Sequence, residues 1–388
     1  MNSRERVVTA LNHKEPDQIP YDMAGTILSG MNIHFYKNLR KYLRLPELKD
    51  YPVVEILQQL AHVHDDMREK LRPDVLDSLP RSSGTFEIEV RDMGELGDPN
   101  YTYFYDEWHV GWRMPKQGGL YYDMFSHPLA KAETIEEIDN FAWPDPVAPG
   151  RFTGLRERAK FIAEEEKKAV ALGGLSAGII EICAWLRGYE QFYPDLILNV
   201  PLIERIADIV MEMKMAFWAR VLEEVGEYAD VVMEADDFSG QHRLLFSLET
   251  YQKIFKPRHK KLFDFIHART NGKIFFHSCG AVRDALPDLI DAGIDILNPV
   301  QVSARGMDSA DLKREFGRDL SFWGGAVDVQ MVFDRGTPDQ VREETLRRIH
   351  DLAPGGGWIC ANIHNIQATV PPENFMAFWE TLQENIKY

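Results

Sequence analysis

Two side chains that bind soft metal ions stand one residue apart at the end of a short apolar segment. Residues 273–276 are β-branched and aromatic and follow Asn271-Gly272, which predicts a buried strand. His277 and Cys279 come directly after it, and positions i and i+2 of a strand point the same way. An imidazole and a thiolate that project together suit Zn²⁺. The alternative is a core cysteine beside a hydrogen-bonded histidine, and two ligands alone do not decide between them.

The composition of the chain bounds the classes of protein it belongs to. With 388 residues and 45% hydrophobic content it can bury a large core, as one α/β domain or two smaller ones. The net charge of −17 argues against nucleic acid or an anionic membrane as a partner. No apolar window is long enough to span a bilayer, and residues 1–6 lack the apolar core of a signal peptide. We therefore expect a cytoplasmic protein.

The small number of cysteines is also typical of a cytoplasmic protein. Only three cysteines are present, Cys183, Cys279 and Cys360, which cannot form a disulfide framework. Such a small odd number in a cytoplasmic enzyme is typical of thiol or metal chemistry. Cys183 lies within an apolar helical segment and is interpreted as a buried helix residue.

The elements that must position these residues alternate between short apolar runs and longer amphipathic stretches. This alternation is typical of βα units around a parallel sheet. It predicts an α/β fold, a TIM (β/α)₈ barrel formed by residues 1–388 as a single domain. The predicted strands are 19–21, 169–172, 230–233, 273–276, 294–297, 320–323 and 358–360, with an eighth near Val75 or in 84–90.

An insertion in the N-terminal part of the chain, residues 80–135, has a composition of its own. Nine aromatic residues lie between Tyr101 and Phe125, and alternation around 116–119 predicts a β-hairpin. The aromatic side chains either pack on one another as a small satellite core or form a lid and pocket wall for a flat ring. Both interpretations stay open at this point.

Polar side chains cluster after the predicted strands. Catalytic groups of such barrels sit at the carboxyl ends of the strands. Here those positions hold Glu234, Asp236, Asp237, His277, Cys279, Asn298, Gln301, Cys360 and His364. This convergence at one rim favours a metal site over simple packing.

Several segments together resemble the uroporphyrinogen decarboxylase superfamily over nearly the full length of the chain. The resemblance implies a TIM barrel, in agreement with the alternation of elements. The segments that carry it are residues 4–11 with 15–20, 236–241, 256–258, 276–280, 296–301, 322–325 and 364–367.

The superfamily contains at least two chemistries, and one segment separates them. The decarboxylase carries Arg-Gln-Ala-Gly-Arg after its first strand to hold substrate carboxylates, whereas residues 22–26 here read Asp-Met-Ala-Gly-Thr. Without either arginine, a tetrapyrrole with many carboxylates loses its cationic partners. The segment therefore favours the zinc-dependent, corrinoid-linked methyltransferases of the superfamily.

That branch implies a particular ligand set. Its coenzyme M enzymes bind zinc through a His-x-Cys pair, matched by His277 and Cys279, and a distant cysteine. Both Cys360 and His364 are candidates for the third ligand, and the sequence leaves the choice open. Glu234 is a candidate oxygen ligand or acid, and the neutral amide of Gln301 is a weaker candidate.

The function predicted from these residues is methyl transfer from a methoxylated aromatic compound to Co(I) of a separate corrinoid carrier protein. Zinc would act as a Lewis acid for the oxygen that loses its methyl group. The cobalamin-binding signature Asp-x-His-x-x-Gly is absent from the sequence, which points to a separate carrier. The alternatives are a coenzyme M-type thiol methyltransferase, a decarboxylase-like enzyme and a metal-free binding protein.

The resemblance also implies a homodimer. The sequence further predicts roles for individual residues. The candidate catalytic acids are Glu234, Asp236 and Asp237, and the candidate substrate-binding residues are Tyr21, Trp108, Trp112, Tyr121, Gln301 and Trp323.

Overall fold

A parallel sheet of seven strands curls into the centre of the molecule. A computed structural model describes all residues 1–388. The sheet has the order β13-β12-β11-β10-β9-β8-β3, and all its pairings are parallel. The strands are β1 (Val53–Glu55), β2 (Leu60–Ala61), β3 (Val75–Ser78), β4 (Arg91–Asp92), β5 (Tyr101–Tyr105), β6 (Gly111–Pro115), β7 (Asp123–Ser126), β8 (Ala169–Leu172), β9 (Val231–Ala235), β10 (Lys273–His277), β11 (Ile296–Asn298), β12 (Ser321–Trp323) and β13 (Trp358–Ile359).

The short segment around Tyr21 closes this sheet into a barrel. On one side the Cys360 N–H donates to the Pro20 carbonyl, and Tyr21 forms a parallel bridge to Cys360. On the other side the Asp74 N–H donates to the Tyr21 carbonyl at 2.9 Å. The eighth strand predicted near Val75 is present as β3, whereas residues 84–90 contain no strand. The predicted TIM-like barrel is confirmed.

Helices surround the barrel and follow its strands. No helix is both long and apolar enough to cross a membrane. The helices are α1 (Ser3–Leu11), α2 (Ile33–Tyr42), α3 (Asp65–Leu71), α4 (Ile135–Asp139), α5 (Leu155–Lys160), α6 (Ile179–Arg187), α7 (Tyr189–Leu198), α8 (Val200–Val225), α9 (Leu248–Thr250), α10 (Lys256–His267), α11 (Leu286–Ala292), α12 (Ser309–Phe316), α13 (Pro338–Leu352) and α14 (Pro372–Glu384).

Strand parity divides the core into two layers. Successive side chains of a strand point to opposite faces. One set therefore fills the barrel interior, while the other packs against the helices. The inner layer includes Ala169, Ala171, Val231, Met233, Phe275, Trp323, Ile359 and Ala361. The outer layer includes Val170, Leu172, Val232, Ile274, Phe276, Phe322, Trp358 and Cys360. Parity thus decides which residues near the strand ends reach the mouth of the barrel.

The aromatic-rich segment folds as a separate four-stranded antiparallel sheet, in the order β4-β5-β6-β7. The turn predicted at 116–119 lies between β6 and β7. Trp112 is buried, donates from Nε1 to Asp106 Oδ2 at 2.8 Å and packs edge-on against Trp185 of α6. Trp108 is likewise buried and packs on Trp143. These contacts describe a small aromatic core, and a role of this sheet as a lid stays a prediction.

Candidate metal centre

Three side chains converge at the carboxyl end of the barrel. His277 is the last residue of β10, Cys279 follows two residues later, and His364 lies in the loop after β13. One ligand atom from each of the three lies within 4.8 Å of the others. Cys279 Sγ and His277 Nε2 are 3.5 Å apart. The structure therefore brings together a sulfur and two imidazoles from loops 85 residues apart in sequence (364 − 279).

The spacing of these atoms fits a zinc ion. Tetrahedral zinc with bonds of about 2.1 Å to nitrogen and 2.3 Å to sulfur separates two such ligand atoms by about 3.6 Å. The Sγ–Nε2 distance of 3.5 Å agrees with this value. Three protein ligands also leave a fourth position for a substrate atom, which is the usual arrangement of a catalytic zinc site. The donor set of two nitrogens and one sulfur thus suits zinc in both identity and number.

The ring of His277 is oriented by a neighbouring strand end. Its Nδ1 lies 2.6 Å from Oδ1 of Asn298, the last residue of β11. The amide cannot be reversed, because Asn298 Nδ2 donates to the carbonyl of Trp323 at 3.0 Å. Since an amide oxygen only accepts, Nδ1 of His277 carries the proton and Nε2 faces Cys279 with a free lone pair. Asn298 is therefore a positioning residue for the metal centre.

Burial shifts the pKa values of the other two ligands in opposite directions. It lowers the pKa of His364 to about 4, with a further lowering by the nearby His277. His364 is therefore neutral near pH 7, as a metal ligand must be. Burial raises the pKa of the Cys279 thiol well above its ordinary value, and the Asp237 carboxylate adds to this rise. Zinc has to displace the thiol proton to bind, so acid opposes metal binding at this centre.

Hydrogen bonds fix the backbone that carries Cys279. Its N–H donates to Asp237 Oδ1 at 2.6 Å, and its carbonyl accepts from Ser239 Oγ at 2.5 Å. The next N–H, that of Gly280, donates to Gln301 Oε1 at 2.7 Å. Two residues predicted for the site, Asp237 and Gln301, therefore lie beside the metal group and hold its loop. Asp237 Oδ1 is also 4.0 Å from His277 Nε2.

Gly280 is required in this loop for two reasons. Its φ of +93° is strained for other residues, and a Cβ there would lie 2.6 Å from Ser239 Oγ and 2.7 Å from the Gly240 carbonyl. We expect Gly280→Ala to lower the free energy of unfolding by roughly 2–4 kcal/mol and to reduce zinc content. Gly97→Ala is the matched control, because Gly97 has a φ of +92° and nothing within 4 Å of a Cβ.

Denaturant unfolding and metal analysis of both variants would measure this effect. The control isolates the backbone strain, for which we expect about 1 kcal/mol and unchanged zinc. Equal losses of stability in the two variants would contradict the close packing inferred around Gly280.

Cys360 does not join the group, which corrects its prediction as a zinc ligand. Its neighbours Ile359 and Ala361 belong to the inner layer of the barrel, so its own side chain points outward into the helix-facing layer. There it is fully buried. The chain leaves the strand before His364 and turns back over the mouth, so residues 360 and 364 do not share a face. Of the two candidates for the third ligand, only His364 reaches the metal group.

Glu234 also points away from the mouth, which corrects its prediction as a ligand or acid. Val231 and Met233 of β9 face the barrel interior, and Glu234 faces α8. Its carboxylate accepts from Lys214 Nζ at 2.9 Å and from Trp218 Nε1 at 2.6 Å. All three side chains are buried, so Glu234 ties the strand to the helix.

Asp236 serves a similar structural purpose and does not pair with Asp237 as an acid. It is fully buried, and its Oδ1 accepts from the Glu181 N–H at 2.8 Å. Its Oδ2 lies 2.7 Å from His259 Nε2, and His259 Nδ1 lies 3.1 Å from the Tyr251 hydroxyl. Asp236 therefore joins the start of α6 to α10 behind the site.

One acidic residue near the site was missed by sequence reasoning. Glu181 lies in the first turn of α6, and burial raises its pKa well above the ordinary value, with Asp237 and Asp236 adding to the rise. Its position after the glycine-rich loop that follows β8 was the available signal. Asn298 was visible as a strand-end residue, but its bond to His277 depends on the register between β10 and β11.

The remaining predicted substrate residues lie elsewhere. Tyr21 is part of the barrel closure, and Trp323 fills the interior below the mouth, donating from Nε1 to Asp22 Oδ2. Trp108 and Trp112 are buried in the antiparallel sheet, and Tyr121 is exposed. None of these five lines the cavity beside the metal group.

That cavity has a volume of about 340 Å³ and includes Cys279 and His364 in its wall. Its apolar lining consists of Val329, Phe333, Ile363, Ile366 and Val370. Its polar lining consists mainly of carboxamides, those of Gln241, Gln301, Gln330, Asn365 and Gln367. No lysine, arginine, aspartate or glutamate lines it.

The chain is similar to several solved structures. A "methyltransferase from Methanosarcina mazei" has a TM-score of 0.65 and 17% identity, with 99% of each chain covered. A D-psicose 3-epimerase has a TM-score of 0.34 and 12% identity over 65% of this chain and 84% of its own. A β-glucosidase from Pyrococcus furiosus has 0.38 and 13%, over 82% of each chain. The first likeness shows a shared fold over the whole chain.

Comparisons of sequence identify the family. The search of curated proteins found no match. The sequence model described as uroporphyrinogen decarboxylase (URO-D) matches residues 122–385, well over half of the chain. The chain therefore belongs to the uroporphyrinogen decarboxylase family.

Proposed function

We propose that this protein is a zinc-dependent methyltransferase that removes a methyl group from a methoxylated aromatic compound and passes it to Co(I) of a separate corrinoid protein. The observation that carries the proposal is the group His277, Cys279 and His364, of which Cys279 and His364 line a cavity at the barrel mouth. The likeness to a methyltransferase barrel over 99% of both chains supports it. The choice of methyl transfer over other zinc chemistry rests on the sequence resemblance described above.

The reaction requires an electrophilic centre beside the ether oxygen. The O–CH₃ bond breaks with its electron pair left on oxygen, and the two electrons of Co(I) form the new Co–CH₃ bond. Zinc, when bound by the three ligands, supplies Lewis acidity for the charge on that oxygen. The phenolate then takes up a proton. His364 holds its position as a neutral imidazole because burial lowers its pKa, and Asn298 orients the ring of His277 so that Nε2 is directed at the metal position.

The residues of the first βα loop argue against decarboxylation of a porphyrinogen. Asp22 is fully buried and accepts hydrogen bonds from the Gly25 N–H, the Thr26 N–H and the Ser29 hydroxyl. This carboxylate is engaged in the loop itself, where the decarboxylase has cationic residues. No lysine or arginine lines the cavity near the metal group either. A substrate with many carboxylates would find no cationic partner there.

An aromatic methyl donor is supported by the shape and lining of the cavity. Five apolar side chains line it together with the Cys279 and His364 ligands. A methoxy group directed at the metal would place its ring within this lining. The proposed donor does not depend on the aromatic antiparallel sheet, because the tryptophans of that sheet pack in a small core of their own.

A methyl-transfer assay with free cob(I)alamin as acceptor tests the proposal. Anaerobic protein would be mixed with methoxyphenols, methoxybenzoates, methylamines or methylated thiols, and methylcobalamin formation would be followed by absorbance. We expect turnover at least tenfold above the protein-free rate with a methoxylated ring. Turnover with only a thiol or an amine would refute the aromatic donor. No turnover with any donor would refute methyl transfer.

A further inference from the structure

We infer that Gln58, in the turn between β1 and β2, is a positioning residue for the third metal ligand, His364, and that it acts through Asn365. The inference rests on the metal centre of the proposed function and deepens it, because it names what sets the place of that ligand. It follows from the hydrogen bonds that hold the loop of His364, from the burial of the Asn365 amide and from the contact of Asn365 with the imidazole.

The loop that carries His364 has no backbone ladder of its own. Residues 362–365 follow β13, and none of their backbone groups forms a hydrogen bond to another backbone group. Within the loop, Asn362 Nδ2 donates to the His364 carbonyl, and Gln367 Nε2 donates to the Asn365 carbonyl. The position of His364 therefore depends on contacts that the loop makes with other parts of the chain.

Those contacts come from the N-terminal part of the chain. The Ile366 N–H donates to the Gly30 carbonyl at 2.8 Å, and the Asn32 N–H donates to the Ile366 carbonyl at 2.9 Å. The preceding residue, Asn365, donates from Nδ2 to Gln58 Oε1 at 2.7 Å. The loop is thus held at two adjacent residues by segments that precede β3.

The bond to Gln58 is the sole hydrogen bond of the Asn365 side chain. Asn365 is 3% exposed, and its Oδ1 has no partner. A buried amide without any hydrogen bond is costly, so native proteins rarely contain one. Without the Gln58 acceptor, the loop would have to shift to bring this amide to water. His364 is the adjacent residue and would move with it.

Asn365 also contacts the imidazole of His364. Its backbone is close enough to oppose, through a hydrogen bond, the lowering of the His364 pKa that burial and His277 cause. A histidine that binds a metal usually donates its other ring N–H to a carbonyl or carboxylate, which sets the direction of its lone pair. Asn365 thus occupies for His364 the place that Asn298 occupies for His277. A shift of Asn365 would turn the ring of His364 away from the metal position.

The same contacts join the metal centre to the aromatic antiparallel sheet. Asn32 donates from Nδ2 to the carbonyls of Gln58 and Leu120, at 3.2 and 3.3 Å. The Tyr122 N–H donates to the Leu57 carbonyl at 2.8 Å. Because Leu120 and Tyr122 lie between β6 and β7, the sheet holds the turn that carries Gln58.

Gln58→Met tests the inference, because it keeps the length of the side chain and removes the acceptor. We expect it to lower zinc affinity about tenfold, as removal of a group that orients a metal ligand usually does. In X-ray absorption at the zinc edge, imidazole scattering should weaken relative to sulfur scattering, because one of the two rings is no longer oriented. The denaturation midpoint of the metal-free protein should stay at that of the wild type, since the loop can relax when no metal holds His364.

Gln252→Met is the matched control. Gln252 donates from Nε2 to Asp288 Oδ2 at 2.8 Å and lies exposed on the helical segment before α10. The substitution removes one amide hydrogen bond, as Gln58→Met does, but on the outer surface. It should leave zinc affinity unchanged within about twofold.

The outcomes separate this inference from the metal centre and from methyl transfer. Zinc affinity of Gln58→Met within about twofold of the wild type, or an equal fall in both variants, would overturn the inference and leave the metal centre standing. A lower midpoint of metal-free Gln58→Met would also overturn it, since a general loss of structure would then explain the lost zinc. If the expected pattern is found but no donor methylates cob(I)alamin, the inference stands and methyl transfer falls. A wild-type protein without zinc would overturn both.

Discussion

His364→Ala is expected to lower the zinc affinity of the protein by at least about 100-fold, whereas Cys360→Ala should leave it unchanged. His364 is one of three side chains whose ligand atoms lie within 4.8 Å of one another, and Cys360 points to the opposite face of its strand. Loss of a residue that merely orients a ligand costs about 10–100-fold in metal affinity, so loss of a ligand should cost more. Competition with a chromogenic zinc chelator would measure both affinities.

The zinc affinities of these two variants distinguish between the two candidates for the third ligand, His364 and Cys360. Cys360→Ala is also the control for loss of a buried side chain near the site, because Cys360 is fully buried. Retention of zinc by His364→Ala together with its loss from Cys360→Ala would reverse our assignment. Methyl transfer should fall to the protein-free rate in His364→Ala for the same reason.

Glu234→Ala is expected to destabilise the protein by about 3–5 kcal/mol without removing its zinc. The substitution leaves the Lys214 ammonium buried without its carboxylate, with the Leu175 carbonyl as its remaining acceptor, and also removes the acceptor of the Trp218 N–H. The side chains of Lys214 and Glu234 are 1% and 3% exposed, so water cannot compensate for the loss. Denaturant unfolding with parallel metal analysis would measure both quantities.

An exposed ion pair provides the control for this prediction. Glu249 and Lys253 form an i,i+4 pair in which both side chains are 72% exposed. Glu249→Ala should therefore leave the free energy of unfolding nearly unchanged, because water screens an exposed ion pair. If Glu234→Ala lost its zinc while its stability stayed near that of Glu249→Ala, the structural role assigned to Glu234 would be wrong.

Strand periodicity explains why part of the site was predictable from sequence. His277 and Cys279 follow a strand whose alternation is plain, and Phe275 does face the barrel interior as parity requires. The rule that functional groups gather at the carboxyl rim then placed Asp237 and Gln301 correctly beside the metal group. Periodicity was informative wherever the residue lay in, or next to, a regular strand.

The predictions that the structure corrects concern residues whose alternation along the strand was not considered. The choice that stayed open concerns a residue beyond the end of a strand. Glu234 has the parity of the outer layer, which Val231 and Met233 reveal once they are assigned to the interior. The face of Cys360 follows in the same way from Ile359 and Ala361. The position of His364, in contrast, depends on the path of a loop, and no local periodicity encodes that path. Long-range contacts decide it.

Residue type alone does not place the aromatic residues that were predicted to bind the substrate. An aromatic side chain can pack in a core or line a pocket, and its identity does not distinguish the two. Trp108 and Trp112 pack against other tryptophans and so complete a small core. The cavity is lined instead mainly by carboxamides and aliphatic side chains, with Phe333 as its one aromatic residue besides His364. Its composition appears only when those loops are brought together.

X-ray absorption at the zinc K-edge of the purified protein tests the central claim most directly. The account predicts about one zinc per chain, bound by two imidazole nitrogens at about 2.0–2.1 Å and one sulfur at about 2.3 Å, with a fourth light ligand. The sulfur scatterer should disappear in Cys279→Ala and persist in Cys360→Ala. A zinc ion with no sulfur ligand, or a wild-type protein without zinc, would contradict the metal centre on which the proposed methyl transfer depends.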